Sequence, residues 1–144
     1  MAIYMLVVDF QAGVVDTPME EWKPEEVQAH LDYYRALHKE LVASGELVAS
    51  EVLAPPGLAK IVSSDGSATN VVDGPFQEFK EWVAGYQMVD VESEERAIEI
   101  AAQISAVTGP DGVPIQQPIQ VRQVMEEAPS DAAEMQTFLQ QVGD

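Results

Sequence analysis

The chain has 144 residues, 47% of them hydrophobic, no cysteine, and 25 acidic against seven basic side chains, a formal charge of −18. Those numbers exclude disulfides, thiolate metal sites and a cysteine nucleophile, and a chain this acidic repels phosphate backbones, which argues against direct nucleic-acid binding. The length suits one domain with a single core. The longest apolar runs, such as Ile3 to Val8, are too short to span a membrane, and no basic-then-apolar leader is evident, so a cytoplasmic protein is expected. The acid excess reads first as solvated charge, and second as an acidic face for a basic partner protein.

In chain order, Ile3 to Phe10 is apolar on both alternating faces apart from Asp9, the pattern of a central strand buried on both sides. Residues 11 to 24, with Gly13, Pro18 and Pro24, read as a long loop. Pro24, Glu25 and Glu26 start a helix with acids at the positive end of its dipole. Its stripe is Val27, Leu31, Tyr34, Leu37 and Leu41, and Gly45 caps it. Leu47 to Leu53 reads as a strand ended by Pro55-Pro56-Gly57. Ala59 to Val62 and Ala68 to Val72 flank Asp65-Gly66, a strong hairpin signal. Asp73-Gly74-Pro75 then turns the chain into a short helix with Phe76, Phe79 and Val83 on one face. Gly85 to Val91 is a second strand apolar on both faces. Ser93 caps a helix through Ala97, Ala101 and Ile104. A Gly/Pro-rich loop covers 106 to 118, Ile119 to Met125 alternates as an edge strand, and Pro129-Ser130 introduces a last helix with Met135, Phe138, Leu139 and Val142 on one side.

This order, two βαβ halves with a hairpin inserted and a helix appended, predicts an α+β fold: a ferredoxin-like antiparallel sheet of four strands with helices on one face. In that arrangement the first and third core strands are central, and they are the two strands here that are apolar on both faces. The sheet face away from the helices is then apolar too, and a second copy of the chain is its expected cover, giving a homodimer.

The stretch Asp73-Gly74-Pro75-Phe76, followed by Lys80-Glu81 and Gly85-Tyr86, resembles the signature of DGPF-domain proteins within the YCII-related family. Tyr4-Met5-Leu6 resembles the family's opening strand, and Gly45-Glu46-Leu47 and Leu53-Ala54-Pro55 the segment after its first helix. Ala97 and Arg122 fall where its second helix and last strand carry Ala and Val-Arg. The likeness covers most of residues 1 to 125. Val121-Arg122-Gln123 departs from the usual Val-Arg-Pro, and the 106–118 loop and residues 126 to 144, a C-terminal helical extension, exceed the usual domain. The resemblance implies a dimeric α+β barrel in which two sheets face each other. Relatives of that fold include small isomerases and monooxygenases acting on ring compounds. It also implies a His and Asp pair as candidate catalytic groups and, for DGPF-type bacterial members, a link to sigma factors and transcription initiation.

Asp73 is the strongest polar candidate. It reads both as a turn aspartate capping the short helix and as an acid or base at a cleft rim. Lys80, four residues after Phe76, borders the apolar face and reaches inward or snorkels to water. His30 and His38 flank the stripe of the first helix, more than about 10 Å apart by helix rise and so too distant for one metal. Each reads first as a packed or partly exposed residue, and His38, beside Tyr34 and Leu41, is the chosen imidazole. Tyr34, Phe76 and Tyr86 are the expected walls. Asp90 shares a strand face with Tyr86 and Met88, and Asp9 interrupts an apolar strand and needs a partner or water. No phosphate loop, nucleophile elbow or metal-ligand spacing appears, so no cofactor or metal is implied. Two functions follow: a small-molecule binder or enzyme with a cleft near Asp73, His38 and Lys80, or a non-catalytic accessory protein acting through its acidic surface.

Overall fold

A computed structural model of the chain describes residues 1–9, 13–15, 17–74 and 83–142. The expected short helix at Phe76 and Phe79 lies outside the described residues, as do Phe76 and Lys80 themselves.

The main sheet joins β1 (Ala2–Asp9), β2 (Leu47–Val52), β5 (Val83–Val91) and β6 (Ile119–Gln123) in the order β2-β5-β1-β6. All its pairings are antiparallel. β1 and β5, the two strands apolar on both faces, are the central pair, and β6 is an edge as its alternation predicts. β5 begins at Val83, two residues before the expected start, so Val83 pairs with Asp9 instead of closing a helical face.

Alternation along β1 sends Tyr4, Leu6 and Val8 to one face and Ile3, Met5 and Val7 to the other. The first set packs with Val89 and Val91 of β5 against α1 (Pro24–Ala43) and α2 (Glu94–Ser105). α2 is set by Ser93, whose hydroxyl accepts from the Arg96 N–H at 3.2 Å, and it buries Ala97, Ile100, Ala101 and Ile104. α1 contributes Leu37 and Leu41, with Tyr34 packed at the edge. Burying a side chain such as Leu41 or Ile104 contributes roughly 1.5–3 kcal/mol. Leu31, expected in the stripe, is 47% exposed. The inward line runs instead through positions 30, 34, 37 and 41, so His30 occupies the place that Leu31 was assigned. Gly45 ends the helix with φ of 78°, a conformation that costs a Cβ-bearing residue energy.

β3 (Lys60–Ser64) and β4 (Thr69–Asp73) form a separate two-stranded hairpin. Asp65 makes its turn by accepting from the N–H groups of Ser67 and Ala68 at 2.9 and 2.8 Å. α3 (Ala132–Val142) keeps its expected helical form, but its apolar side chains are largely uncovered: Met135 and Leu139 are exposed. The side chain of Val142 lies outside those described. No helix among the described residues is long and apolar enough to cross a membrane.

Candidate functional site

The end of β1 and the starts of β5 and β6 lie at one end of the sheet, and the first turns of α1 meet the 106–118 loop that leads into β6. That end is tied together by hydrogen bonds. Val14 N–H donates to the Ile115 carbonyl at 2.9 Å, and a Cβ on Gly13 would lie 2.2 Å from that same oxygen, so only glycine permits the crossing. Gln117 Nε2 donates to the Asp9 carbonyl at 2.7 Å. Glu26 on α1 accepts the Asp111 N–H at 2.6 Å and the Lys23 N–H at 2.9 Å, and these two donors hold its carboxyl below the usual range. In the same loop Asp111 and Gln116 adopt φ of 60° and 59°. Such left-handed residues cost energy and persist where surrounding contacts impose them.

His30, on α1, is anchored to this end. Its Nδ1 lies 2.9 Å from the Thr108 carbonyl. A carbonyl only accepts, so Nδ1 carries the hydrogen, and in the neutral ring Nε2 keeps a free lone pair. Trp22 meets the imidazole edge-on at 5.5 Å between centroids and Tyr34 at 5.1 Å. Trp22 is fixed in turn by Nε1 donating to the Thr17 carbonyl at 2.9 Å. Burial, and then Tyr33 beside it, push the Tyr34 hydroxyl up to about 12, so it remains a neutral donor near pH 7. An oriented imidazole between aromatic edges can accept a proton or a hydrogen bond from a ligand.

The expected site residues are distributed as follows. Asp73 ends β4 with an exposed side chain that accepts from Lys60 Nζ, a partner not foreseen. Gly74 after it has φ of 72°, as the turn requires, and donates its N–H to the Ala59 carbonyl at 2.8 Å. His38 is exposed on α1. By helix rise it is about 12 Å further than His30 from the loop end. Tyr86 lies on the sheet face away from the helices, opposite Val7 and Glu51. No hydrogen bond, ion pair or ring contact joins Asp73, His38, Tyr34 and Tyr86 to one another among the described residues. His30 is the group that sequence reasoning undervalued. Its signal was its i, i+4 spacing to Tyr34 on the inward line.

Two open hollows on the surface lie elsewhere. One of about 290 Å³ runs between α3 and the segment before it, lined by Met125, Pro129 and Phe138 among others. The other, about 570 Å³, follows the turn of the β3–β4 hairpin.

The family model of the YCII-related domain matches residues 2–119. The chain is also similar to an uncharacterised protein of Rhizobium meliloti (strain 1021), 30% identical over 84 residues, which span 58% of this chain and 68% of that protein.

Proposed function

Because the chain belongs to the YCII-related family, we propose that it is a small-molecule-binding protein whose site is the loop end of the sheet, beside the turn that begins at Asp73. The observation that carries this is His30, held at Nδ1 by the Thr108 carbonyl and flanked by Trp22 and Tyr34. Ring compounds bearing a hydrogen-bond donor are the ligand class: the aromatic edges supply apolar contact and Nε2 supplies the acceptor. If a reaction occurs there, it is acid–base chemistry. Asp73 and Lys80 remain the proposed polar groups, with His38 as the alternative imidazole, Tyr34 and Phe76 as walls, and Tyr86 as a wall on the outer face of the sheet; the anchored ring of His30 supports ranking it ahead of His38. The ferredoxin-like strand order and the apolar outer sheet face support assembly of two copies as a dimeric α+β barrel.

The test is a thermal-shift panel of small phenols, lactones and cyclic ketones on the full chain. Binders are expected to raise the melting temperature of the wild type and of His38→Ala, and to lose most of that effect in His30→Phe. A response kept in His30→Phe and lost in His38→Ala overturns the assignment of the imidazole. The net charge of −18 favours a second reading, a non-catalytic accessory protein with a basic partner in sigma-factor-dependent transcription initiation. A panel that shifts no variant, the wild type included, supports that alternative.

A further inference from the structure

α3 and the segment leading into it form a surface outside residues 2–119, the part that the family model matches. Two walls bound the hollow of about 290 Å³ there: Met125 and Pro129 on the leading segment, and Thr137, Phe138 and Gln141 on α3. Capping contacts tie the walls together at one end. Asp131 Oδ1 accepts the Glu134 N–H at 2.8 Å, and Glu134 accepts from the Ser130 N–H and hydroxyl at 2.8 and 2.9 Å. Beside Phe138, Met135 and Leu139 continue the apolar face and are exposed, as is Met125 across the hollow. An amphipathic helix with its apolar stripe in water is a surface built to be covered. The charge around it has one sign. Residues 123 to 144 hold Glu126, Glu127, Asp131, Glu134 and Asp144, and no Lys, Arg or His. Glu126 and Glu127 are exposed and enter no ion pair among the described residues.

We infer that this surface docks a basic amphipathic helix of another protein. The partner's apolar stripe lies on Phe138, Met135 and Leu139, over the mouth of the hollow, and its Lys or Arg side chains reach Glu126 and Glu127. α3 has 11 residues, about 16 Å of helix, so a partner helix of three turns or more matches its length. Recognition of this kind uses apolar anchors at i, i+3, i+4 and i+7, and charged donors beside the stripe meet carboxylates strongly. Charge selects this occupant over a second copy of the chain, because a second α3 brings the same acids and no base, and like charges across an interface oppose it. The walls are already tied by the Ser130, Asp131 and Glu134 contacts, so little of the groove has to be ordered on binding. The inference holds whether or not the loop end of the sheet binds a small molecule.

Fluorescence anisotropy on the full chain tests this with a labelled amphipathic peptide of about five turns, Leu on one face and Lys on the other. The wild type is expected to bind it at micromolar concentration and not to bind the same peptide with Glu in place of Lys. Met135→Ser combined with Leu139→Ser is expected to weaken binding about tenfold or more. Glu126→Gln combined with Glu127→Gln is expected to weaken it several-fold and to flatten its salt dependence. Glu20→Gln combined with Glu21→Gln removes as much charge from another exposed place and is expected to change nothing. All these positions are exposed, and circular dichroism confirms folding. A wild type that ignores the Leu/Lys peptide overturns the inference. So does binding that survives the Met135/Leu139 changes, or that falls as much with the Glu20/Glu21 pair, since either reports attraction to the acidic chain as a whole. Sedimentation velocity supplies the other arm: self-association lost in the Met135/Leu139 variant shows that a second copy covers α3, and overturns the basic partner.

Discussion

Arg96 grips Glu46 through two nitrogens, Nε to Oε2 at 2.8 Å and Nη2 to Oε1 at 2.9 Å, and reaches Glu99 with Nη1 at 3.0 Å. Ser44 Oγ donates to Glu46 as well, at 2.8 Å. Together, and with Arg96 first, these donors pull the Glu46 carboxyl down to about 2 from an ordinary value of 4.5. The folded value is the lower one, so the pair stabilises fully above pH 4.5 and its contribution fades as pH falls from there towards 2. Glu46→Gln should cost on the order of 1–2 kcal/mol at pH 7, discounted for the solvent-facing part of Arg96. Paired melts from pH 7 to 2.5 check the sign: the gap between wild type and variant should close in acid, and a constant gap refutes the linkage. Little of this was legible in sequence. Glu46 and Arg96 are fifty positions apart, and no local period links a loop acid to a helix base. His30 was undervalued for a related reason: its Thr108 anchor comes from a distant loop. Asp73 and Gly74 were legible because their turn chemistry is local.

At the scale of elements, β5 passes close to β2 at Gly85. A Cβ on Gly85 would sit 2.7 Å from the Glu51 carbonyl oxygen on β2. Backbone cannot swing aside as a side chain does, so Gly85→Ala should separate the strands locally and cost about 1–3 kcal/mol. A denaturant melt that matches wild type refutes this. Strand and helix types were legible because their periods are strong: two faces apolar for β1 and β5, alternation for β6, Asp65-Gly66 for the hairpin. Which residue of a stripe points inward was less so. Leu31 and His30 differ by one position, about 100° around the helix, and hydrophobicity alone chose Leu31. The loop at 106–118 carries the Thr108 anchor. In it Asp111 and Gln116 lie at positive φ, a conformation that Asp tolerates better than most residues but that Gln does not announce. α3 was legible as an amphipathic helix, but amphipathicity does not state what its apolar face meets.

For the whole molecule the charge decides the next expectation. Four ion pairs hold among the described residues, against 25 acids and a net charge of −18 in the chain. Most carboxylates therefore repel one another across a surface where 0.1 M salt screens beyond only about 10 Å. Sodium chloride added from low to moderate concentration should raise the melting temperature until screening saturates. A flat or falling melting temperature shows that the acids are already far enough apart. The sheet order has a kinetic consequence as well. β1 lies in the middle, and its neighbours are β5 at 83–91 and β6 at 119–123. During synthesis β1 must therefore wait for about seventy further residues before its first edge finds a mate and for about a hundred before its second does. Its apolar run from Ile3 to Val8 stays uncovered meanwhile, which predisposes the nascent protein to slow folding and to capture by chaperones that hold extended apolar segments.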